Sequence, residues 1–193
     1  MSLLITGSLT PEELQSVKQE TNHFFEQHTF EKSTVVIPRN SYSENRTSST
    51  FFPDKSHVRK SIDIIWKRLR TVYTEELYPN LHDNKVVPQL IKYDPGQFFF
   101  WHKDNVKGNR IARVITASIN LSDYEGGGLF VKYHNKIEPI KNDIGSFGIF
   151  PANCWHCAKA PTSGQRRVMT FWFHGKLPDI ETNELLYKEE KCN

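Results

Sequence analysis

The feature that most constrains the fold is a run of short β-type segments in the second half of the chain. Eight segments rich in aromatic and β-branched residues follow one another, at 86–93, 97–103, 113–121, 128–133, 136–140, 145–150, 154–160 and 166–174. Turns rich in glycine, proline and asparagine separate them, for example at 94–96 and 126–128. Short strands at this spacing are typical of antiparallel sandwiches and barrels. The sequence therefore predicts a mainly β protein.

Two helices are predicted before most of these strands. Thr10, Pro11 and Glu13 form an N-cap, a first-turn proline and a capping-box glutamate, which predict a helix over 11–27. Apolar residues on one face predict a second helix over 57–77.

Between the helices, residues 35–37 indicate a strand, and a polar loop over 39–50 is a candidate lid, as is the segment 105–109. We predict a single domain over residues 1–193. It would have a helical support region over 1–84, a β core over 85–175 and a charged tail over 176–193 that frays.

Composition narrows the function classes. The 25 basic and 22 acidic residues are interleaved and give a net charge of +3, so charge offers no positive case for nucleic-acid binding. No apolar run approaches the roughly 20 residues of a membrane span, and the N-terminus has no basic leader region. Three cysteines, an odd number, agree with a reducing compartment. We expect a cytoplasmic protein with no membrane partner.

Cys154 and Cys157 enclose His156 in a Cys-x-x-Cys motif, which raises the question of a redox pair or a zinc site. No helix pattern accompanies the motif, and in an extended strand the two Cα atoms would lie about 10 Å apart, beyond the limit of about 7 Å for a disulfide. A zinc site needs further ligands, and the candidates are the distant His174 and Cys192. The motif therefore directs attention to its histidine.

His102 and Asp104 form a His-x-Asp triplet at the end of an aromatic β segment, so their side chains project from one face of a strand. Together with His156 from a later strand they would form a facial triad of two histidines and one carboxylate, a ligand set typical of Fe(II). The alternative is that His156 is an ordinary half-buried strand histidine.

Arg166 and Arg167 begin the last β segment. A buried arginine on an inner strand suits a dicarboxylate co-substrate, because its planar guanidinium binds a carboxylate bidentately. Both arginines could instead be solvated charges of an edge strand. The sequence analysis also assigns four aromatic residues to the core instead of to substrate contacts, namely Phe98, Phe100, Trp155 and Trp172.

With these residues in place, the sequence resembles the Fe(II)/2-oxoglutarate-dependent dioxygenases, in particular the prolyl 4-hydroxylase-like and lysyl hydroxylase-like branch. The resemblance covers residues 86–174. It is carried by the segment 93–97 before His102 and Asp104, by the glycine turn at 123–128, and by His156 followed by residues 161–166. A short segment, 46–49, is similar to one in prolyl 4-hydroxylases.

The resemblance implies a double-stranded β-helix (jelly-roll) core with the N-terminal helices packed on one sheet. It implies that His102, Asp104 and His156 hold Fe(II), and that 2-oxoglutarate and dioxygen complete the reaction, with ascorbate as a further candidate cofactor. Arg166, not Arg167, would bind the C5 carboxylate of 2-oxoglutarate, because Arg166 lies six residues before Trp172, the spacing of related enzymes. Thr170 and Tyr93 would assist Arg166. The presence of Asp104 favours hydroxylation over halogenation.

The leading hypothesis is hydroxylation of an unactivated C–H bond in a prolyl or other amino-acid side chain, with release of succinate and carbon dioxide. The substrate could be a peptide or protein side chain, a free amino acid or another small metabolite. A metal-binding jelly-roll sensor without turnover is a third interpretation, although it has no need for the dicarboxylate anchor Arg166. An inert β-sandwich would require the whole residue set to be accidental.

Overall fold

In the computed structural model the chain is described over residues 4–33, 45–73, 81, 85–105, 112–133 and 136–175. These residues form two α-helices and eleven β-strands. The helices are α1 (Pro11–Gln27) and α2 (Arg59–Leu69), and the strands are β1 (Ile5–Ser8), β2 (Glu31–Lys32), β3 (Ser49–Phe51), β4 (Val86–Tyr93), β5 (Phe99–His102), β6 (Ala112–Asn120), β7 (Gly128–Tyr133), β8 (Lys136–Pro139), β9 (Ser146–Pro151), β10 (His156–Lys159) and β11 (Arg166–Gly175).

The strands form two antiparallel sheets. The larger sheet has seven strands in the order β1-β9-β6-β11-β4-β3-β2, and the smaller has four in the order β5-β10-β7-β8. Central strand β11 pairs with β4 on one side and β6 on the other. The eight predicted β segments all appear as strands, with ends shifted by at most two residues. Within the described residues, neither helix is long and apolar enough to cross a membrane.

The first helix begins and ends where the sequence predicts. The Thr10 hydroxyl accepts from the backbone N–H of Glu13, and the Glu13 carboxylate accepts from that of Thr10, which completes the capping box. Helix α2 is shorter than the predicted 57–77, because a 3-10 turn (Lys55–Val58) precedes it and the chain leaves the helix after Leu69. Tyr73 is fully buried but outside the helix, so its place in the helical apolar pattern was misleading.

Three strands in the N-terminal half were not predicted. Strands β1, β2 and β3 have between two and four residues, too few for a periodic pattern, and they form because edges of the larger sheet accept them. The region 1–84 is therefore not purely helical. The predicted strand 35–37, the tail 176–193 and parts of both candidate lids, 39–44 and 106–109, lie outside the described residues.

Both helices pack on the outer face of the larger sheet, as predicted. The main hydrophobic core joins the buried faces of α1 and α2 to apolar side chains of the central strands. Its members include Val17, Phe24, Phe25, Ile62, Ile65 and Leu69 from the helices and Leu90, Ile115, Ala117, Ile119, Met169, Phe171 and Phe173 from the sheet. The opposite face of the larger sheet faces the smaller sheet.

The assignment of four aromatic residues to the core is only partly correct. Trp172 is buried, but Phe100 is 59% exposed and Trp155 is 39% exposed. Strand alternation explains Phe100, because its neighbour Phe99 takes the inward position and turns Phe100 outward. Trp155 precedes β10 and packs under the Lys103 ammonium, 5.3 Å from the ring centroid.

Candidate metal centre

His102, Asp104 and His156 meet between the two sheets. One ligand atom of each lies within 4.8 Å of the others. The Nε2 atom of His102 is 3.6 Å from Oδ1 of Asp104, and Nε2 of His156 is 3.4 Å from Oδ2. Among the described residues this is the one group of three such side chains close enough to share a metal ion.

Strand pairing brings the two histidines together. Strands β5 and β10 are antiparallel neighbours, and His156 lies directly opposite His102 in their register. Asp104 follows β5, where its backbone N–H donates to the carbonyl of Ala152 at 2.8 Å. The 51 residues between Asp104 and His156 therefore form a long connection that strand pairing closes, and this backbone pairing brings the triad together.

Each imidazole is oriented by a backbone carbonyl two residues earlier. Nδ1 of His102 is 2.7 Å from the carbonyl oxygen of Phe100, and Nδ1 of His156 is 3.0 Å from that of Cys154. A carbonyl can only accept, so both Nδ1 atoms carry the donated hydrogen. The Nε2 atoms of both rings therefore face the centre, as in metal sites where an outer hydrogen bond fixes the tautomer.

Asp104 is fixed by two side chains that sequence reasoning did not assign to the site. The Thr116 hydroxyl donates to Oδ2 of Asp104 at 2.7 Å, and the indole N–H of Trp172 donates to the same oxygen at 2.8 Å. These hydrogen bonds leave Oδ1 directed toward His102. Thr116 and Trp172 are cross-strand partners on β6 and β11, a relation that the sequence does not display.

The electrostatics of the triad suit a cation. Burial opposes ionisation of Asp104, but His156 and His102 outweigh it and hold the pKa of Asp104 well below its usual value. Burial, together with the neighbouring His156, lowers the pKa of His102. Asp104 overcomes burial and raises the pKa of His156. A carboxylate that stays ionised and two imidazoles whose Nε2 atoms face the centre form a donor set that fits Fe(II).

Arg166 lies in the same pocket, 3% exposed. Its Nε donates to the Tyr124 hydroxyl at 3.2 Å, and its guanidinium carbon lies 5.0 Å from the ring centroid of Tyr93, its cross-strand partner. No carboxylate of the described residues lies within ion-pair distance of Arg166, so the site offers a buried cation to an anionic ligand. Thr170 lines the pocket with it.

Arg167 points to the other side of the sheet, as predicted. Its Nε donates to the Gln165 side chain at 2.8 Å, and its guanidinium lies over the ring of Phe25 in α1, 5.5 Å from the centroid. The two adjacent arginines therefore differ in the face of β11 that they occupy, and Arg166 alone of the two can contact a ligand beside the triad.

The two cysteines around His156 are free, Cys154 half-buried and Cys157 buried. Burial raises the pKa of each thiol from 9.0 to about 11, so both stay protonated at neutral pH. A thiolate is the form that binds metals and attacks disulfides. His156 is the residue of the Cys-x-x-Cys motif that lines the pocket. Both cysteines are free, which agrees with the prediction that they form no disulfide.

The pocket contains further polar residues that sequence reasoning missed. Gln89, Thr116 and Ser118 line it, as does Arg46 from the segment before β3. Gln89 and Ser118 lie opposite Thr170 on the two neighbouring strands, and Thr116 lies opposite Trp172. These relations become visible only when the strand pairing is known. For Arg46 a signal existed, because it lies in the segment 46–49 that resembles prolyl 4-hydroxylases.

Fold and triad together define a jelly-roll metal site of the 2-His-1-carboxylate type. Residues 88–174 match the model of the 2OG-Fe(II) oxygenase superfamily, and the chain therefore carries a 2OG-Fe(II) oxygenase domain over this segment. This family implies Fe(II), 2-oxoglutarate and dioxygen. The predicted resemblance is confirmed.

Curated relatives are PKHD-type hydroxylases. One from Synechococcus sp. (strain CC9902) is 28% identical over 101 residues, which are 51% of this chain and 46% of the relative. One from Prochlorococcus marinus (strain NATL2A) is 30% identical over 95 residues, 48% of this chain and 43% of the relative. The similarity thus spans somewhat less than half the length of these relatives.

Solved structures confirm the predicted double-stranded β-helix fold. A Pseudomonas putida prolyl-4-hydroxylase superposes with a TM-score of 0.70 at 16% identity, covering 90% of this chain and 93% of the other. A Trichoplax adhaerens prolyl hydroxylase, solved with a peptide of the hypoxia inducible factor oxygen degradation domain, gives 0.68 at 15% identity, covering 97% and 88%. At these identities the likeness establishes the fold.

Proposed function

We propose that this protein is a 2-oxoglutarate-dependent dioxygenase that hydroxylates an unactivated C–H bond of an amino-acid side chain, with a prolyl side chain as the first candidate. Succinate and carbon dioxide are the co-products. The observation that carries the proposal is that one pocket contains both the metal-binding triad and the buried Arg166, which has no carboxylate partner among the described residues. A metal-binding jelly roll without turnover has no use for this second feature.

In this proposal His102, Asp104 and His156 are the iron ligands. Both histidines present Nε2 because their Nδ1 atoms donate to backbone carbonyls. Asp104 keeps its negative charge, and Thr116 and Trp172 restrain it through Oδ2. Bound Fe(II) supplies the activation of dioxygen that is coupled to decarboxylation of 2-oxoglutarate.

Arg166 binds the distal carboxylate of 2-oxoglutarate, and Thr170 and Tyr93 assist it. The guanidinium is held from behind by the Tyr124 hydroxyl and is stacked on the Tyr93 ring. Little side-chain entropy is therefore lost when a ligand binds. Burial strengthens the ion pair that the ligand forms, because water does not screen it.

Apolar side chains line the pocket between the triad and Arg166 and limit access of water. Ile91, Val168 and Phe150 come from the larger sheet, while Phe99 and Leu129 come from the smaller sheet. The ring of Phe99 stacks on His102 with centroids 3.4 Å apart. This lining keeps the reactive centre away from bulk solvent and from side reactions.

The names of the relatives support an amino-acid side chain as the target. They include PKHD-type hydroxylases and a prolyl-4-hydroxylase, and one structural neighbour was solved with a peptide. Ascorbate is proposed as an auxiliary reductant that keeps iron in the Fe(II) state. A cytoplasmic location is also proposed, and the two free cysteines agree with it.

The proposal is tested by supplying purified protein with Fe(II), ascorbate, 2-oxoglutarate and air, and measuring succinate. We expect slow succinate release even without substrate, and none from His102→Ala. Mass spectrometry of proline-rich peptides and free amino acids should then identify a product that has gained one oxygen atom. Tight binding of Fe(II) and 2-oxoglutarate with no succinate under any condition would favour a sensor and contradict the enzymatic proposal.

A further inference from the structure

Arg46 is a second buried arginine in the pocket. It is 6% exposed, and its Nε donates to the Ser48 hydroxyl at 2.8 Å. Its guanidinium carbon lies 4.5 Å from the ring centroid of Phe99, the same ring that stacks on His102. Its Nη2 atom is buried and has no hydrogen-bond partner among the described residues. A guanidinium held at Nε and over a ring, with its buried Nη2 atom unpaired, can bind an acceptor supplied by a ligand.

Gln89 provides a complementary group in the same pocket. It is 2% exposed, it lies opposite Thr170 in the pairing of β4 with β11, and its Oε1 atom is also buried without a partner among the described residues. The pocket thus contains one unpaired charged donor and one unpaired neutral acceptor. Leaving a buried polar group unpaired is unfavourable, so both groups are expected to have a partner in the working state.

The charges in the pocket indicate the sign of the missing partner. Its lining residues include two arginines, Arg46 and Arg166, and one carboxylate, Asp104. A divalent metal ion and doubly charged 2-oxoglutarate would cancel each other. One positive charge then remains in excess on the buried walls, and a ligand group with a single negative charge would neutralise it.

We propose that Arg46 and Gln89 form an anchor for the substrate, in which Nη2 of Arg46 binds a free carboxylate and Oε1 of Gln89 accepts an N–H. The chemistry is that of an α-amino or α-imino acid with an unblocked carboxylate, either a free amino acid or the C-terminal residue of a peptide. An internal residue of a polypeptide has no such carboxylate. This inference rests on the proposed hydroxylase function and narrows its substrate class.

Arg46 and Arg166 reach the pocket from different elements and rest on different rings. Arg166 belongs to β11 and lies over Tyr93, whereas Arg46 precedes β3, pairs with the edge of β5 and lies over Phe99. This division assigns one arginine to the co-substrate and the other to the substrate. The competing assignment, in which both arginines bind 2-oxoglutarate, is an outcome of the experiment below.

The test uses full-length protein loaded with Zn(II) and 2-oxoglutarate, which prevents turnover, and measures binding by calorimetry. The probes are L-proline, L-leucine and glycyl-L-leucine, which all carry an N–H on the α-nitrogen beside the carboxylate, each compared with its C-terminal amide. We expect at least one acid to bind, about tenfold to a hundredfold more tightly than its amide, the usual value of a charge-assisted hydrogen bond. If only the free amino acids bind, the substrate is a free amino acid; if glycyl-L-leucine binds more tightly than L-leucine, it is a C-terminal residue.

Three variants locate the effect. Arg46→Gln should abolish the preference for acid over amide, Arg46→Lys should keep part of it, and the matched control Arg167→Gln, outside the pocket, should keep all of it. Arg46→Lys covers the case in which Arg46→Gln fails to fold.

The inference is wrong if acid and amide bind equally, if none of the probes binds, or if Arg46→Gln weakens 2-oxoglutarate binding instead. Binding of 2-oxoglutarate itself is measured first. Its absence, unlike these results, would contradict the proposed function.

Discussion

The two faces of the larger sheet are built from alternate residues of the same strands, yet they have different chemistry. Along β11, Met169, Phe171 and Phe173 face the helices and are fully buried in the main core. Arg166, Thr170 and their neighbours of the same parity face the pocket. The helix-facing side contains stabilising apolar contacts, and the pocket-facing side contains Arg166 and the other hydrogen-bonding groups that the larger sheet contributes to the proposed ligand site.

This comparison shows how a short chain can stabilise its fold and keep a polar cavity at the same time. Hydrophobic burial behind the sheet stabilises the strands, so unpaired groups such as Nη2 of Arg46 can be tolerated in front of it. Substitutions on the pocket face should therefore change binding with little change in stability. Substitutions on the helix face should do the opposite. The following predictions test that separation, from the largest effect to the smallest.

His102→Ala should remove metal binding almost completely and abolish succinate formation, because one of three ligands is lost. The thermal unfolding midpoint should change little, since His102 lines the pocket from the smaller sheet and lies outside the main core. Metal affinity is measured by anaerobic titration, and His23→Ala, an exposed helix histidine, is the control for adventitious binding. Metal affinity unchanged in His102→Ala would place the metal elsewhere.

Phe171→Ala should lower the free energy of unfolding by about 3–5 kcal/mol, because it leaves a cavity in the main core. Its neighbour Thr170 occupies the opposite face, so Thr170→Ala should cost about 1 kcal/mol or less in stability and instead weaken 2-oxoglutarate binding. Urea denaturation measures the first effect and calorimetry the second. If Phe171→Ala weakened 2-oxoglutarate binding and Thr170→Ala caused the larger loss of stability, the two faces would not have the separate roles described above.

Arg166→Gln should weaken 2-oxoglutarate binding by about tenfold to a hundredfold, the value of a buried charge-assisted hydrogen bond. Arg167→Gln should leave the affinity within about twofold, because Arg167 lies over Phe25 behind the sheet. The two dissociation constants are measured with the metal present. Equal effects of the two substitutions would show that Arg166 had been wrongly chosen over Arg167 as the residue that binds 2-oxoglutarate.

Thr116→Val should reduce metal affinity by about tenfold, because Asp104 loses one of the two hydrogen bonds that hold Oδ2. Thr116→Ser keeps the hydroxyl and should restore most of the affinity, which separates the hydrogen bond from packing. The same titration as for His102→Ala serves here. Wild-type affinity in Thr116→Val would mean that Trp172 alone positions the carboxylate.

Replacing Cys154 and Cys157 together by serine should change metal affinity by less than about twofold. Burial keeps both thiols protonated, with pKa values of about 11, so neither is available as a thiolate ligand. Loss of metal binding in this double variant would mean that the cysteines contribute to the metal site. The same anaerobic metal titration measures the affinity, once the double variant has been shown to be folded.

Much of this arrangement could be predicted from the sequence because its signals are local. The capping box of α1, the turns between strands and the His-x-Asp triplet are each contained in a few residues. The family resemblance selected Arg166 by its spacing to Trp172, and the expectation that Arg167 points the other way agrees with its place over Phe25. His156 was named as a candidate third ligand from its place on a later predicted strand, and the family resemblance then favoured this role over that of an ordinary strand histidine.

The rest depends on contacts between distant segments, which periodicity does not encode. Thr116 and Trp172 reach Asp104 because β6 and β11 pair in one register, and Gln89 enters the pocket beside Thr170 for the same reason. Phe100 and Trp155 were placed in the core by their hydrophobicity, although alternation and an exposed loop turn them outward. Short strands such as β1 form because a sheet edge is present to pair with them.

The central claim is that the pocket between the two sheets binds Fe(II) and 2-oxoglutarate together. Its most direct test is an anaerobic titration of the wild-type protein with Fe(II) and then 2-oxoglutarate, followed by visible absorption for the charge transfer from iron to the chelating co-substrate. We predict an absorption band that saturates at one equivalent of each, that is absent in His102→Ala and that needs more 2-oxoglutarate in Arg166→Gln. A wild-type protein that develops no band and binds neither component would contradict the account.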